Sequence, residues 1–242
     1  MPILVISDIH ANLNALDAVL ADAGEVDATW CLGDLVGYGP DPNESVARVR
    51  GLPNLICLVG NHDAAALNQI DLYTFNPEAR RSLVWTQERL TRESEEYLGN
   101  LPPRLVYSQV TLVHGSPRQP VWEYLLDTRT ATKNFHYFKT LYCFVGHSHL
   151  PVIYQMLDGH TAADLIIPQP QAHFKMTPRA ILNPGSVGQP RDRDPRAAYA
   201  LYHPEEHTWE HRRVDYDISS VQDRMRQVGL PKRHIERLSA GW

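Results

Sequence analysis

The sequence predicts an α/β fold in which parallel strands alternate with helices. Short apolar runs such as residues 3–7 and 55–59 are typical of strands that are buried on both faces of a sheet. The first half of the chain reads strand, helix, strand, helix, strand, an order that favours a parallel sheet with right-handed crossovers. Five apolar runs end directly in Asp, His or Asn, and this carboxyl edge is where open α/β sheets bind ligands.

Length and composition indicate a globular protein without an obvious charged partner. The 242 residues suit one domain, residues 1–242, with a sizeable core. The net charge of −5 gives no general attraction to nucleic acid or to an anionic membrane. No apolar stretch approaches the roughly 20 residues that span a bilayer, and the N-terminus lacks the features of a signal peptide. The sequence leaves open whether the chain forms a homo-oligomer.

The three cysteines predict a cytoplasmic protein. Cys31, Cys57 and Cys143 each lie within an apolar run. An odd number with no regular spacing gives no disulfide framework. We therefore expect buried, reduced thiols that behave as small hydrophobic side chains.

The elements of the first 100 residues follow from apolar periodicity and from turn residues. After the strand at 3–7, Asn12 opens a helix whose apolar stripe includes Leu13 and Leu16. Residues 28–32 form a second strand, the Gly- and Pro-rich residues 37–42 form a loop, and Asn43 caps a helix through Arg50. After the strand at 55–59, residues 77–98 are predicted to form one long amphipathic helix.

The second half of the chain contains more hairpins. We expect strands at 104–107 and 110–113, a helix at 123–139, a buried strand at 141–145 and an extended segment at 152–156. Residues 157–178 are interpreted as a hairpin or a mobile loop. A short strand at 180–182 precedes a hairpin of residues 197–202 and 209–214, and a helix at 219–227 closes the chain before Gly229 and Pro231.

Seven candidate metal ligands follow the five apolar runs. They are Asp8, His10, Asp34, Asn61, His114, His147 and His149. Mixed imidazole and carboxylate donors suit Mn, Fe, Zn or Ni, with Mg as a further candidate. Seven donors are too many for one tetrahedral zinc ion, and the lack of cysteine argues against a structural zinc site. The set suits two divalent ions that share a carboxylate, roughly 3.5–4 Å apart.

Two such ions have a definite chemical use. They lower the pKa of a bridging water towards neutrality, so that hydroxide attacks a phosphate ester, and they neutralise the developing charge. The leaving alkoxide needs a proton, which a nearby imidazole can give. His62, next to Asn61, is the candidate proton donor.

Together the motifs resemble the complete signature of the calcineurin-like metallophosphoesterase superfamily. The matching segments are Asp8-x-His10, Gly33-Asp34, Gly60-Asn61-His62-Asp63, His114-Gly115 and Gly146-His147-Ser148-His149. Residues 183–191 and 194–199 resemble its prokaryotic phosphodiesterase-like branch. The resemblance implies a four-layer α-β-β-α sandwich, in which two mixed sheets are flanked by helices.

The resemblance also implies an assignment of each ligand. The first metal would be held by Asp8, His10, the bridging Asp34 and His149. The second would be held by Asp34, Asn61, His114 and His147. His62 would act as proton donor or transition-state stabiliser.

One departure bears on the substrate. Protein serine/threonine phosphatases of this superfamily carry an aspartate and then an arginine after their Gly-Asp motif, where this chain has Gly37 and Tyr38. The phosphoprotein-phosphatase hypothesis is weaker for that reason. The partner that orients His62 stays open, and Asp63 is one candidate.

Two further residues are candidates for substrate binding. Asn12 could bind a phosphate oxygen or cap the helix that it precedes. Arg191 could bind phosphate through its planar guanidinium, or lie in a solvated loop paired with Asp192 and Asp194. Seven histidines outside the motifs are interpreted as surface or structural residues: His136, His160, His173, His203, His207, His211 and His234.

These observations predict a dinuclear metal-dependent phosphoesterase acting on a small phosphomonoester or phosphodiester, for example a nucleotide or a dinucleoside polyphosphate. The alternatives are a nuclease or a protein phosphatase of the same superfamily. The acidic charge balance speaks against a nuclease. A non-catalytic scaffold would be expected to have lost ligands, and no ligand is missing here.

Overall fold

Twelve strands and eight α-helices make up the computed structural model, which describes residues 1–242. The strands are β1 (Ile3–Ile6), β2 (Ala28–Cys31), β3 (Ile56–Cys57), β4 (Arg104–Tyr107), β5 (Val110–Val113), β6 (Tyr142–Phe144), β7 (Pro151–Gln155), β8 (Asp164–Ile166), β9 (His173–Lys175), β10 (Ala180–Pro184), β11 (Ala197–His203) and β12 (Thr208–Val214). The helices are α1 (Leu13–Ala23), α2 (Pro42–Arg50), α3 (Asn61–Ala66), α4 (Pro77–Gln87), α5 (Arg92–Gly99), α6 (Thr128–Asn134), α7 (Ile218–Gln227) and α8 (Lys232–Ala240). None of the helices has the length and apolar character needed to cross a lipid bilayer.

The strands form two mixed sheets of six strands each. The first has the order β3-β2-β1-β11-β12-β9, and the second has the order β4-β5-β6-β10-β7-β8. β1, β2 and β3 are parallel neighbours, while β11 pairs with β1 antiparallel and places Leu201 opposite Leu4. In the second sheet β5, β6 and β10 are parallel. The predicted α/β class with two mixed sheets is confirmed.

Successive side chains of a strand belong to different apolar clusters, which divides the core into layers. Ile3 and Val5 of β1 pack with residues of the second sheet such as Phe144, whereas Leu4 and Ile6 pack with residues of α1, α2 and α4. The outer face of the second sheet packs against α6 and the 3₁₀ turn Phe135–Tyr137. The successive side chains of a strand point to opposite faces of its sheet, so these cores lie between four layers, helices–sheet–sheet–helices, as predicted.

The parallel strands of both sheets bring their carboxyl ends to a common edge. The loops after β1, β2 and β3 leave the first sheet there, and those after β5 and β6 leave the second. Backbone hydrogen bonds join these loops: Asp8 N donates to Gly33 O at 3.0 Å and Gly146 N donates to His114 O at 2.8 Å. The fold therefore gathers the five polar strand ends in one place.

Two predicted helices of the first half are wrong in detail. Asp41, not Asn43, occupies the position before α2, because Pro42 supplies the fixed φ of the first helical residue. The amide of Asn43 instead bonds to Arg89 O and Thr91 N. Residues 77–98 form two helices and not one. Thr91 caps the second helix, α5, because its hydroxyl accepts a hydrogen bond from Ser94 N at 3.3 Å.

The second half differs from prediction in three places. Residues 123–127 are not helical, since Asp127 caps α6. Residues 157–178 do not form a hairpin of their own: β8 completes a hairpin with β7 in the second sheet, and β9 pairs with β12 in the first. After Pro231 the chain continues into α8. A proline directly before a helix is compatible with its start as well as with the end of the previous one.

The three cysteines are buried and unpaired, as predicted. The predicted hairpins β4–β5 and β11–β12 are also confirmed.

Candidate metal centre

All seven predicted ligands lie together at the common carboxyl edge. Loops of the first sheet contribute Asp8, His10 and Asp34, and the first residue of α3 contributes Asn61. Loops of the second sheet contribute His114, His147 and His149. Each is buried, with no more than 3% of its surface exposed. Loops of both sheets therefore bring the seven predicted residues into one buried cluster.

The donor atoms fall into two groups that meet at Asp34. In the first, His149 Nε2 lies 3.3 Å from Asp8 Oδ1 and His10 Nε2 lies 3.5 Å from Asp34 Oδ2. In the second, His114 Nε2 lies 3.4 Å from the same Asp34 oxygen and 3.1 Å from Asn61 Oδ1. His147 joins Asp34 and His114 in this group. Asp34 Oδ2 is buried and accepts no hydrogen bond, so it is free to contact a cation from either group.

Backbone carbonyls fix the orientation of every imidazole in the cluster. The Nδ1–H groups of His10, His114 and His149 donate to Val36 O, Leu32 O and Gln189 O at 3.1, 2.9 and 2.6 Å. The fourth imidazole is turned round, and His147 Nε2 donates to Trp122 O at 3.0 Å. Such outer hydrogen bonds select the tautomer and present the other ring nitrogen to a metal. The donors are thus Nε2 of three histidines and Nδ1 of His147.

The contact between His10 and His149 tests whether the cluster fits a cation. Their Nε2 atoms are 3.1 Å apart, although both rings already donate from Nδ1. Two neutral rings would then face each other with lone pairs. Moving a proton to either Nε2 would instead turn an Nδ1 lone pair towards a carbonyl oxygen. A cation between the rings removes this conflict, and the donor set therefore fits a metal.

Asp34 and His114 form an ion pair at the centre of the cluster. Burial opposes it, yet His114 and the neighbouring imidazoles hold the pKa of Asp34 well below its usual range. Burial likewise disfavours the His114 cation, but Asp34 raises the pKa of His114 to about 9. A cation at the second group of donors would replace the Nε2 proton of His114, and this nitrogen and Asp34 Oδ2 would both be able to contact it.

The other members of the cluster are in the protonation states that suit metal binding or lie close to them. Burial lowers the pKa of His10, His147 and His149 well below the usual range, so these rings are neutral, the form that binds metals. Burial and the charge of Asp34 raise the pKa of Asp8 to about 7. A cation next to Asp8 would favour its ionised form.

Backbone strain is concentrated in the same loops. Five of the seven candidate ligands have positive φ: Asp8, His10, Asp34, His147 and His149, with values between 50° and 64°. Each such residue costs of order 1–3 kcal/mol, and such strain clusters at functional sites. The conformation of these loops is therefore maintained at a cost to stability.

His62, on α3, lies beside the cluster and is also buried. Its backbone N–H donates to Asp34 Oδ1 at 2.8 Å, and its ring packs against His10 and Tyr38 with centroids 4.8 and 4.3 Å away. Gly37 makes room, since a Cβ there would come within 2.5 Å of His62 Nδ1. His62 Nδ1 has no hydrogen-bond partner. Burial lowers the pKa of His62 to about 4.

Asp63 does not orient His62. Its carboxylate accepts hydrogen bonds of 2.8–3.1 Å from four backbone N–H groups, those of Asp34, Leu35, Val36 and Gly60. Asp63 therefore fixes the loop after β2 to the start of α3. This contribution to the position of Asp34 was not foreseen from sequence.

The structure uses the side chain of Asn12 as a helix cap. Asn12 Oδ1 accepts from Ala15 N at 3.1 Å, and Asn12 Nδ2 donates to Gly188 O and Tyr216 Oη. Both ends of the amide are thus engaged within the protein.

Arg191 lies at the site and is not paired with the neighbouring aspartates. Asp192 pairs with Arg213, and Asp194 pairs with Arg196. The guanidinium of Arg191 instead lies 5.9 Å from the centre of the Tyr38 ring, which itself packs on His10 and His62. The solvated, acid-paired loop that the sequence allowed is not observed for Arg191.

Three residues near the site were missed from sequence. Tyr38 packs between His10, His62 and His234, so that His234 is a buried structural residue. Gln189 and Arg237 lie next to Arg191. The signal for Arg237 was the pair of apolar residues Ile235 and Leu238 at helical spacing after Pro231, which marks the buried face of α8.

Comparison with known proteins supports a family assignment. The sequence profile described as the calcineurin-like phosphoesterase superfamily domain matches residues 1–207. The chain is 35% identical over 246 residues to an uncharacterised protein of Methanocaldococcus jannaschii, covering 99% of this chain and 98% of the relative. A 67-residue segment, 26% of this chain and 24% of the relative, is 42% identical to a symmetrical bis(5'-nucleosyl)-tetraphosphatase of Erwinia tasmaniensis.

A solved structure agrees with the sequence comparison over the whole chain. The crystal structure of a metallophosphoesterase from Sphaerobacter thermophilus superposes with a TM-score of 0.91 at 46% identity, covering 100% of this chain and 99% of the other. The match extends through the loops that carry the buried aspartates and histidines. The chain therefore belongs to the calcineurin-like phosphoesterase superfamily.

Proposed function

We propose that this protein hydrolyses phosphomonoesters or phosphodiesters with the help of two divalent metal ions. The observation that carries the proposal is Asp34 Oδ2. It is buried, it accepts no hydrogen bond, and it lies within 3.5 Å of imidazoles from both donor groups. In the metal-free protein the His114 cation lies 3.4 Å from this oxygen without a hydrogen bond to it. A buried carboxylate oxygen without a hydrogen bond is costly, and a role as shared cation ligand explains why it is retained.

The donor groups suggest how the two ions would be held. Asp8, His10, Asp34 and His149 would hold the first ion, and Asp34, Asn61, His114 and His147 would hold the second. When bound, ions of this kind provide charge neutralisation and a nucleophilic water near neutral pH. Imidazole and carboxylate donors suit Mn, Fe, Zn or Ni, and we propose manganese as the first ion to test.

His62 is the proposed proton donor to the leaving oxygen. It lies beside Asp34 and His10 but points no ring nitrogen at a protein acceptor. In the free protein His62 is neutral at pH 7, because burial lowers its pKa to about 4. A phosphate group bound next to it carries negative charge, which raises the pKa of an adjacent imidazole. His62 would thus gain its proton in the presence of the substrate.

Arg191 is the proposed contact for a phosphate group of the substrate that lies beside the metal donors and not between them. Its guanidinium lies at the site without a carboxylate partner, and a planar guanidinium matches the geometry of phosphate. The segment similar to a bis(5'-nucleosyl)-tetraphosphatase makes nucleotides the first substrates to examine. The unpaired, buried cysteines are consistent with a reducing, cytoplasmic location.

The proposal is tested by hydrolysis of para-nitrophenyl phosphate and of bis(para-nitrophenyl) phosphate. Metal-stripped protein is assayed alone and after addition of Mn, Ni, Zn or Mg. We expect no cleavage without metal, cleavage of at least one ester with Mn, and loss of that activity on adding a chelator. Equal rates with and without metal would refute the proposed mechanism.

A further inference from the structure

Two arginines from distant parts of the chain share one hydrogen-bond acceptor beside the candidate metal centre. Arg191 Nη2 donates to Gln189 Oε1 at 3.0 Å, and Arg237 Nη1, from α8, donates to the same oxygen at 3.3 Å. Both guanidiniums are half-buried. Two positive groups are therefore held against each other by one neutral oxygen.

No carboxylate neutralises this pair. The acidic residues in the loop after β10 are used elsewhere, Asp192 by Arg213 and Asp194 by Arg196. Neither Arg191 nor Arg237 forms an ion pair, although Arg233, one turn earlier on α8, pairs with Glu78. Burial and the charge of Arg191 lower the pKa of Arg237. Two cationic groups thus lie close together without a carboxylate in contact, an arrangement that a bound anion would stabilise.

Three buried hydrogen-bond donors around the two guanidiniums have no partner. Arg191 Nε, Arg237 Nε and Gln189 Nε2 are buried and have no partner, and the Gln189 side chain is itself almost fully buried, at 1% exposure. A buried donor without a partner costs about 1–3 kcal/mol. Three such donors around two guanidiniums call for a ligand that only accepts hydrogen bonds, which a phosphate group does.

The arginine pair is joined to the candidate metal centre through Gln189 and Tyr38. The backbone oxygen of Gln189 accepts the hydrogen bond from His149 Nδ1 at 2.6 Å, while its side chain holds the two arginines. Tyr38 lies under Arg191 and packs on His10 with centroids 4.6 Å apart. A ligand that reaches the metal donors can therefore also reach the guanidiniums.

Close packing at both ends fixes the position of α8, the helix that carries Arg237. Gly241, directly after α8, would carry a Cβ within 2.8 Å of the Asp194 backbone, and its oxygen accepts from Arg193 N at 2.6 Å. His234, on the same helix, packs on Tyr38 with centroids 4.5 Å apart. The helix that carries Arg237 is thus held by contacts at His234 and at Gly241.

We propose that Arg191 and Arg237 bind a second phosphate group of the substrate, beyond the one that is hydrolysed. The inference rests on the proposed phosphoesterase function and narrows its substrates to those with at least two phosphates. The second phosphate can belong to a phosphoanhydride chain, as in nucleoside polyphosphates, or to another hydroxyl of a bisphosphorylated alcohol. Esters of a single phosphate would leave the arginine pair without its anion.

The test measures binding to the Mn-reconstituted protein by titration calorimetry, so that it does not depend on turnover. The probes are orthophosphate, inorganic tripolyphosphate and fructose 1,6-bisphosphate. Arg237→Gln is compared with Arg233→Gln, which removes an exposed guanidinium from the same helix. We expect Arg237→Gln to weaken binding of tripolyphosphate or of the bisphosphate about tenfold or more, and to weaken orthophosphate binding far less. Arg233→Gln should change none of the three.

Two further variants show whether a loss of affinity is specific to the two guanidiniums. Arg191→Gln should reproduce the effect of Arg237→Gln, and Arg237→Lys, which keeps the charge, should recover part of the affinity. The probe that responds identifies the source of the second phosphate. If Arg237→Gln and Arg191→Gln bind both multiphosphate probes as Arg233→Gln does, the inference is wrong. If the wild type cleaves no ester but these probes bind in an Arg237-dependent way, the proposed hydrolysis fails and the anion subsite stands.

Discussion

At the scale of single residues, Asp34 decides whether the candidate metal centre exists. Its unpartnered oxygen is within reach of both donor groups. Asp34→Asn keeps the size of the side chain but removes its charge, and we expect the variant to lose both ions and the hydrolytic activity together. Elemental analysis after dialysis measures the loss.

The matched control for this prediction is Asp17→Asn. Asp17 is half-exposed on α1 and pairs with Arg48, and its neutralisation should leave the metal content unchanged. Two ions retained in Asp34→Asn would contradict its assignment as the shared ligand.

His62 should separate catalysis from metal binding. Its ring contributes no donor to the two four-residue sets proposed to hold the ions, so His62→Ala should keep the wild-type metal content. Loss of a general acid costs typically 10²–10⁴-fold in rate, and we expect kcat for the tested ester to fall within that range. His160→Ala, which removes an exposed ring, serves as the control. Undiminished kcat in His62→Ala would remove this residue from the mechanism.

At the scale of elements, one carboxylate joins the loop after β2 to the start of α3. Asp63 accepts four backbone hydrogen bonds. An asparagine has only one oxygen, and its amide group would face two of the same donors. We therefore expect Asp63→Asn to lower the free energy of unfolding of the metal-free protein by roughly 2–4 kcal/mol, measured by denaturant titration, and to weaken metal binding.

Asp127→Asn is the control for Asp63→Asn. Asp127 also accepts a backbone N–H, that of Thr130 at the start of α6, but asparagine caps helices about as well as aspartate. We expect its effect on unfolding to be close to zero. Equal destabilisation by the two variants would show that the four hydrogen bonds of Asp63 have no special role.

The elements that carry the ligands could be predicted because their signals are local. Each is an apolar run followed at once by Asp, His or Asn, and periodicity in a short window reveals it. The predictions that were wrong depend on pairing between distant parts of the chain, or on which residue caps a helix. β8 and β9 join different sheets through the edges β7 and β12, which no local pattern indicates. The break between α4 and α5 depends on one hydroxyl, that of Thr91.

At the scale of the whole molecule, both sheets contribute loops to the candidate metal centre. Strained ligand loops of both sheets meet there, so bound ions should hold the two sheets together. One ion at a hundredfold excess over its Kd adds about 2.7 kcal/mol, which for a protein of this size raises Tm by roughly 5–10 °C. Differential scanning fluorimetry with added Mn measures the shift, and Asp34→Asn should lack it.

Contacts between distant parts of the chain form those parts of the site that could not be predicted from sequence. The seven candidate ligands could be predicted because five short motifs, each weak by itself, all follow apolar runs in the chain. The proposed subsite of Arg191 and Arg237 depends on side chains 46 positions apart in sequence, brought together by packing of α8 on the loop after β10. Arg191 was a candidate for phosphate binding from sequence, but no local pattern indicates that Arg237 shares an acceptor with it.

The most direct test of the account is a titration of metal-free protein with Mn in which bound ions and ester hydrolysis are followed in parallel. We expect binding to saturate at two ions per chain. Hydrolysis should appear as the second ion binds, and Asp34→Asn should show neither. Saturation at a single ion with full activity would contradict the shared-carboxylate site, and two bound ions with no hydrolysis of any ester would contradict the proposed reaction.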